Sequence, residues 1–581
     1  MRSLNGSDRA VDDLADRFFE GVLERDPISA TRLGDVRWND RLPDLGDSGR
    51  AAEASACRDV MSAATAIEAH HLGPEPALTR DMLILLAQNR LEALEQRQYQ
   101  LAVDHMSGVQ NMPMEVAHYH VADTPEQLGA LLARFAAYPA AIEQHIATLR
   151  EGLSDQRTSA LDAVRKTVEQ IGKVLTMSPS PPVAIARVAD EAARDRVRRA
   201  VEIHVNPALQ ALHDFLVHEY RPQARLEPGL HSTPNGEAAY DVAIRAQTTL
   251  SATADEIHRF GIEEVQRIES EMDELSGWLG HPDRNALRRS LADDPVNRAT
   301  SSQQLLDLAS DRIRRAEAAA RRSFGRVPHA GCVAKPVEAY REQYVTTFYV
   351  EPTADGSRPG EVYLNTYELA AMPLHMLASL VFHEATPGHH LQAAIGAELG
   401  GLPRLRTQAS AIVPQMGGAD RRGGPPLMGA GFIEGWGLYA ERLADEMGLY
   451  ASQAERQGML EFQLLRALRL VADSGLHAKG WSRQQTIDFL HERRGGAPRV
   501  ISESEVDRYT IWPGQALAYK LGQREIERLR REISQKLGGR FDVRTFHDEL
   551  LALGAIPLSI LRRELPARVE TAIFSASERR D

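Results

Sequence analysis

Residues 377–392 read LASLVFHEATPGHHLQ. The segment starts as the metal-binding pattern His-Glu-x-x-His does, on an apolar run, but Pro387 stands where the second histidine belongs. In an unbroken helix, histidines four apart sit about 40° apart around the axis and share one metal ion, while the glutamate between them activates water. Proline at that place loses its amide hydrogen bond and clashes with the carbonyl of His383, so the helix is expected to kink, bulge or restart around Thr386-Pro387-Gly388.

Two histidines follow the break. On a continuous helix His389 would point about 120° away from His383, whereas His390 would return to nearly the same face roughly 10 Å along the axis. If the Thr-Pro-Gly segment loops out, His389 drops into the vacant ligand place, so His389 is the preferred second ligand and His390 its alternative. A set of core or capping histidines is the competing reading. Upstream, Leu374, Leu377 and Val381 mark one apolar face from Tyr367 to Phe382, which carries His383 and Glu384 to the end of a largely buried helix.

A catalytic zinc generally takes three protein ligands and leaves a fourth place open. The segment GFIEGWGLYAERLADEMG, residues 431–448, supplies the third candidate. Its positions Trp436, Ala440, Leu443 and Met447 form an apolar stripe that leaves Glu434 and Glu441 on the other side. Glu434 lies in the first turn, where the helix dipole favours a carboxylate, and is the expected ligand. Glu441 reads as a solvated acid or as a group that orients a ligand histidine.

The rest of the chain reads as mainly α. Its 581 residues exceed what one small core needs, and the mixture of 43% apolar and 26% charged residues, rich in Ala, Leu, Arg and Glu, favours helix. Apolar residues recur at three-to-four spacing in residues 9–34, 79–102, 124–153, 251–280 and 301–325, several opened by Ser or Thr with Glu or Gln nearby. Breaks are expected at 177–184, at 231–240 and in the Gly/Pro-rich residues 415–432. The expected organisation is an N-terminal helical region, 1–230, and a catalytic helical region, 231–581, within one continuous fold. Tyr344–Val350 and Val362–Thr366, rich in β-branched and aromatic residues around the turn-forming EPTADGSRPG, read as a β-hairpin just before the histidines. Its edge offers a place for an extended peptide.

A net charge of −13 without a long basic block argues against nucleic acid as a partner. Cys57 and Cys332 alone make neither a disulfide framework nor a cysteine-ligated metal site. The start of the chain lacks an apolar signal-peptide core and other apolar runs are short, so a cytoplasmic protein that does not engage a membrane is expected.

FHEATPGHHLQ, GFIEGWGLYAE and RYTIWPGQALAYKLGQREI together resemble the bacterial family called domain of unknown function 885, over most of the chain. That family is similar in turn to the gluzincins: EGWGLYAE resembles the third-ligand segment of zinc aminopeptidases, and PGHHLQ the Gly-His half of the motif in thimet-type oligopeptidases. The resemblance implies a large helical metallopeptidase-like fold with a central cleft, and it favours His389 as ligand. It departs from those peptidases in the longer spacing from His-Glu to Gly-His. It also implies a hydroxyl or cationic donor opposite the metal, for which Tyr509, Tyr519 and Lys520 are of suitable type. Arg358 and Gln515 are candidates to hold a substrate carboxylate or amide, and His118 and His120 to line a cleft.

The expectation is a zinc-dependent hydrolase of the gluzincin type acting on a short peptide or small amide. His383, His389 and Glu434 hold one Zn2+, and Glu384 is the general base. Mn, Co or Fe suits the same donors. The alternatives are a metal-dependent enzyme for a specialised small-molecule amide, and an inactive protein that binds a peptide or partner.

Overall fold

The computed structural model describes residues 5–337, 347–353, 358–369, 372–408, 424–495 and 498–577. Helices dominate, and the segments that carried helical periodicity form them. Gly6–Arg25, Pro74–Glu95, Pro125–Ser154, Ala254–Trp278 and Ser302–Ala320 are helices. Thr124 with Gln127, and Thr253 with Glu256, close reciprocal capping boxes, which satisfy amide groups that a helix start otherwise leaves bare. No helix of the described residues is long and apolar enough to cross a membrane.

Several expectations change in detail. The helix expected from Tyr367 begins at Leu374, after Pro373, because the residue before a proline is pushed into extended backbone; residues 370–371 lie outside the described residues. Of the Gly/Pro-rich stretch, 415–423 also lies outside them, and helix Gly431–Glu446 starts at its end. The break at 231–240 is shorter than expected, since helix Gly236–Thr248 begins inside it.

The expected hairpin is present as Phe348–Val350 antiparallel to Gly360–Leu364, though 344–346 and 354–357 lie outside the described residues. It belongs to a three-stranded sheet, because Cys332–Pro336 pairs in parallel with the other side of Gly360–Leu364. The added strand escaped notice since Lys335 and Pro336 dilute its β-forming pattern.

Packing is organised around helix Gln453–Ala478, which lies against Ala254–Trp278 and against the histidine-bearing helix Leu374–Glu384. One hydrophobic cluster runs from Leu14 and Leu86 through Trp436 to Leu565, joining early and late helices. A second gathers Ile28 to Tyr220, and a third packs the sheet residues Val362 and Leu364 against Leu377 and Val381. Helices Gly431–Glu446 and Ala518–Leu537 touch backbone to backbone: a Cβ on Gly435 would lie 2.5 Å from the Cα of Gly522. That contact fixes the depth at which Glu434 sits.

Candidate metal centre

The break after His383 resolves the proline problem. Helix Leu374–Glu384 ends, residues 385–388 form a loop, and a new helix, His389–Glu398, begins. Gly388 is required there because a Cβ would come within 1.9 Å of the His383 carbonyl oxygen. The Trp436 indole donates to the carbonyls of Pro387 and Gly388 at 3.0 and 3.1 Å, tying the loop to the helix that carries Glu434. With this loop extruded, His389 turns back toward His383; the ring centroids are 4.7 Å apart and nearly perpendicular.

Three ligand atoms, one each from His383, His389 and Glu434, lie within 4.8 Å of one another. Glu434 Oε2 is 3.4 Å from His383 Nε2 and 3.7 Å from His389 Nε2. Ligand atoms on one tetrahedral zinc at ordinary bond lengths stand about 3.3 Å apart, so the set fits the ion with little adjustment. Room is kept by Gly437, where a Cβ would stand 2.7 Å from His383 Cε1 and 2.9 Å from His389 Cε1.

Glu441 is not solvated: it is fully buried and its Oε1 accepts from His383 Nδ1 at 2.8 Å. This corrects the exposed reading, which failed because the neighbouring helices cover both faces of the 431–446 helix. Gln463 Nε2 donates to the other Glu441 oxygen at 3.3 Å, and the Tyr450 hydroxyl to the Glu441 carbonyl at 3.0 Å. The His383 proton is thereby held on Nδ1, leaving Nε2 as the ligand atom.

The charges are strongly coupled. Burial works against the charged form of His383, but Glu434 and Glu441 outweigh it and raise its pKa to about 9. Burial likewise opposes ionisation of Glu434, yet hydrogen bonds from His383 and His389 hold its carboxyl well below the usual carboxylate range. For Glu384 burial dominates and raises the pKa against the attraction of His389 and His383. A buried carboxyl whose pKa is raised in this way holds a proton more readily than an exposed one, which suits general acid–base work.

His390 is placed elsewhere. Its Nδ1 meets the Tyr349 hydroxyl at 3.0 Å and its Nε2 the Ala330 carbonyl at 3.0 Å, so it anchors the sheet to the restarted helix. Lys520 is buried and engaged by Gln463, Gln523 and Glu264 at 3.1, 2.9 and 3.1 Å. Gln463 links it to Glu441 and so to the centre. Tyr509 donates to Glu505 at 2.6 Å. Gln515 lies 3.4 Å from the Tyr519 hydroxyl, and the Tyr519 ring is stacked by Arg469. Arg358 binds the Glu351 carbonyl at 2.6 Å and Glu361 at 3.3 Å, bracing the hairpin. His120 is buried against the Gln127 carbonyl at 2.9 Å, a packing role, and His118 is half-buried in the last turn of the helix Met112–Tyr119 that His120 follows.

Sequence reasoning passed over Trp436 as a loop clamp, Gly437, Gln463 and Arg466. The Gly437 signal was legible in EGWG, three residues after Glu434. Gln463 and Arg466 come from a helix whose sequence carries no motif.

Solved structures that share this fold include the following two. One, from Colwellia psychrerythraea and described as a "putative lipoprotein", has a TM-score of 0.85 at 22% identity, covering 98% of this chain and 100% of its own. The other, from Shewanella oneidensis and described as a "putative lipoprotein of unknown function", has a TM-score of 0.75 at 17% identity, covering 95% and 99%. No curated protein matches the chain. The family described as "Bacterial protein of unknown function (DUF885)" matches residues 27–565.

Proposed function

The chain belongs to the bacterial family of unknown function DUF885, and we propose that it is a zinc-dependent hydrolase cleaving a peptide or small amide bond. The observation that carries this reading is the convergence of His383, His389 and Glu434 ligand atoms within 4.8 Å, with Glu384 adjoining His383. Zinc bound by those three groups supplies Lewis acidity toward a carbonyl and a water. The chain's own groups carry the protons and the positioning. Glu384 takes the proton of the attacking water and delivers it to the leaving nitrogen, a task that its burial-raised pKa favours. Glu441 keeps the His383 ring aligned, and Gly437 keeps the space between the ligand rings open.

The test is zinc content by plasma mass spectrometry for the wild type and for His383→Ala, His389→Ala, His390→Ala, Glu434→Ala and Glu384→Gln, each checked for folding. About one zinc per chain is expected, lost with the three ligands and kept in the other two. A panel of short peptides and small amides then separates peptidase from specialised amidase, and turnover must vanish in Glu384→Gln. A folded wild type that takes up no zinc on reconstitution overturns the proposal.

A further inference from the structure

Beside the three-ligand pocket, helix Gln453–Ala478 brings a guanidinium that has no carboxylate of its own. Arg466 Nη2 lies 4.0 Å from Glu441 Oε1, beyond hydrogen-bond reach. That carboxylate is already taken up by His383 on one oxygen and Gln463 on the other. Arg466 Nε and Nη1 are buried with no acceptor among the described residues, although the side chain is only 9% exposed. The guanidinium lies 4.7 Å from the Phe462 ring and 5.7 Å from the Tyr519 ring.

Two more arginines gather around Tyr519 and Glu505. Arg469 is 4.7 Å over its ring, and Arg469 and Arg508 both bind Glu505 at 3.0 Å. Each of these two also keeps a buried nitrogen with no acceptor among the described residues, Nη1 of Arg469 and Nε of Arg508.

Arginine does not shed its proton, and buried donors in native proteins are paired as a rule. Three guanidinium groups face four carboxylates, Glu384, Glu434, Glu441 and Glu505; a dication in the ligand pocket turns the balance to one positive charge in excess. The excess falls at Arg466, the arginine whose neighbouring acid is committed elsewhere.

Distance bounds the reach of such a ligand. His383 and Arg466 approach the same Glu441 oxygen, at 2.8 and 4.0 Å. Following the ring and that oxygen, the path from a metal at Nε2 to Arg466 is at most about 11 Å. An extended chain advances about 3.5 Å per residue, so a carboxylate one or two residues past a carbonyl at the metal comes within reach.

We propose that Arg466, with Arg469 and Arg508 beside it, is a carboxylate-recognition site, and that the substrate is a short N-acyl amino acid or peptide with its free carboxylate one or two residues beyond the scissile amide. This rests on the hydrolase reading above. Arg466 is then a specificity-determining group: a guanidinium donates paired, charge-assisted hydrogen bonds to a carboxylate, and a C-terminal amide offers no such match.

The experiment measures binding, so it does not depend on turnover. Full-length Glu384→Gln chain, zinc-loaded and metal-free, is titrated calorimetrically with N-acetylglycyl-phenylalanine and with its C-terminal amide. The free acid is expected to bind at least tenfold more tightly than the amide. The preference disappears on adding Arg466→Gln, returns in part with Arg466→Lys, and zinc content stays unchanged in both. Equal binding of acid and amide, no binding of the acid at millimolar concentration, or a preference that survives in folded Arg466→Gln each overturns the proposal. Because acid and amide are compared before any substitution at Arg466, a variant that fails to fold leaves the result decisive. If the chain holds no zinc, the hydrolase reading falls, while an Arg466-dependent preference for the acid in the metal-free chain still upholds the carboxylate site.

Discussion

Glu441 Oε1 lies 2.8 Å from His383 Nδ1, and both groups are buried. The carboxylate thus sets the tautomer and the ring angle of a metal-ligand candidate while standing outside the ligand set. Glu441→Gln keeps the size of the side chain and removes its charge. Zinc affinity is expected to fall about 10–100-fold, with the fold retained. Competition against a chromogenic chelator measures it; an unchanged affinity refutes the orienting role.

Gly437→Ala puts a methyl group 2.7 Å from His383 Cε1 and 2.8 Å from its Nε2. The rings must spread, so zinc binding is expected to weaken by tenfold or more. Helix propensity favours alanine here, by about 1 kcal/mol, which offsets part of the packing strain. Denaturant titration beside zinc titration separates the two: a variant that binds zinc as the wild type does shows that the ligand rings are not constrained by this glycine.

Gly435→Ala attacks packing instead. Its Cβ would stand 2.5 Å from the Gly522 Cα and 2.6 Å from the Gly522 carbonyl carbon, and backbone cannot swing aside as a side chain does. A destabilisation of about 1–3 kcal/mol is expected, the cost of overpacking a tight contact. A midpoint of urea unfolding at or above that of the wild type would contradict this helix crossing.

His547 predicts an acid-sensitive fold. Its Nε2 lies 2.8 Å from the Tyr439 hydroxyl and its Nδ1 2.8 Å from the Ser323 carbonyl, and burial lowers its pKa to about 3. The unfolded value is about 6.5, so the folded state binds fewer protons between the two. The neutral ring therefore contributes stability that is complete above about pH 6.5 and is lost as pH falls toward 3, on the order of 5 kcal/mol in all. Urea unfolding from pH 7 to 4 should show stability falling with acid, and His547→Gln should make that fall shallower. Parallel curves for the two proteins would show that His547 does not titrate in this way.

Much of the helical frame was legible because apolar periodicity and Ser/Thr caps are local signals: Thr253 with Glu256 marks a helix start without knowledge of any partner. The metal-ligand candidates were legible for a related reason. His383, Glu384 and His389 lie within one short segment, and Glu434 lies in a distinctive glycine-flanked turn. The third strand and the burial of Glu441 were not, since both depend on which distant segments pack against them.

By itself, the sequence determined that Pro387 must break the helix after His383, because a proline amide cannot continue the hydrogen-bond ladder. It favoured His389 over His390 but left the second as an alternative, since both follow the break and a looped-out segment of unknown path permits either. Tertiary packing separates the two rings: the Trp436 indole fixes the loop carbonyls, turning His389 toward Glu434, while Tyr349 and Ala330 engage His390 on the sheet side. The same holds for Arg466, an ordinary helical arginine in sequence. Only packing against the helix that carries Glu441 and its neighbours buries it with donors left over among the described residues, because burial is a property of the neighbours and not of the residue.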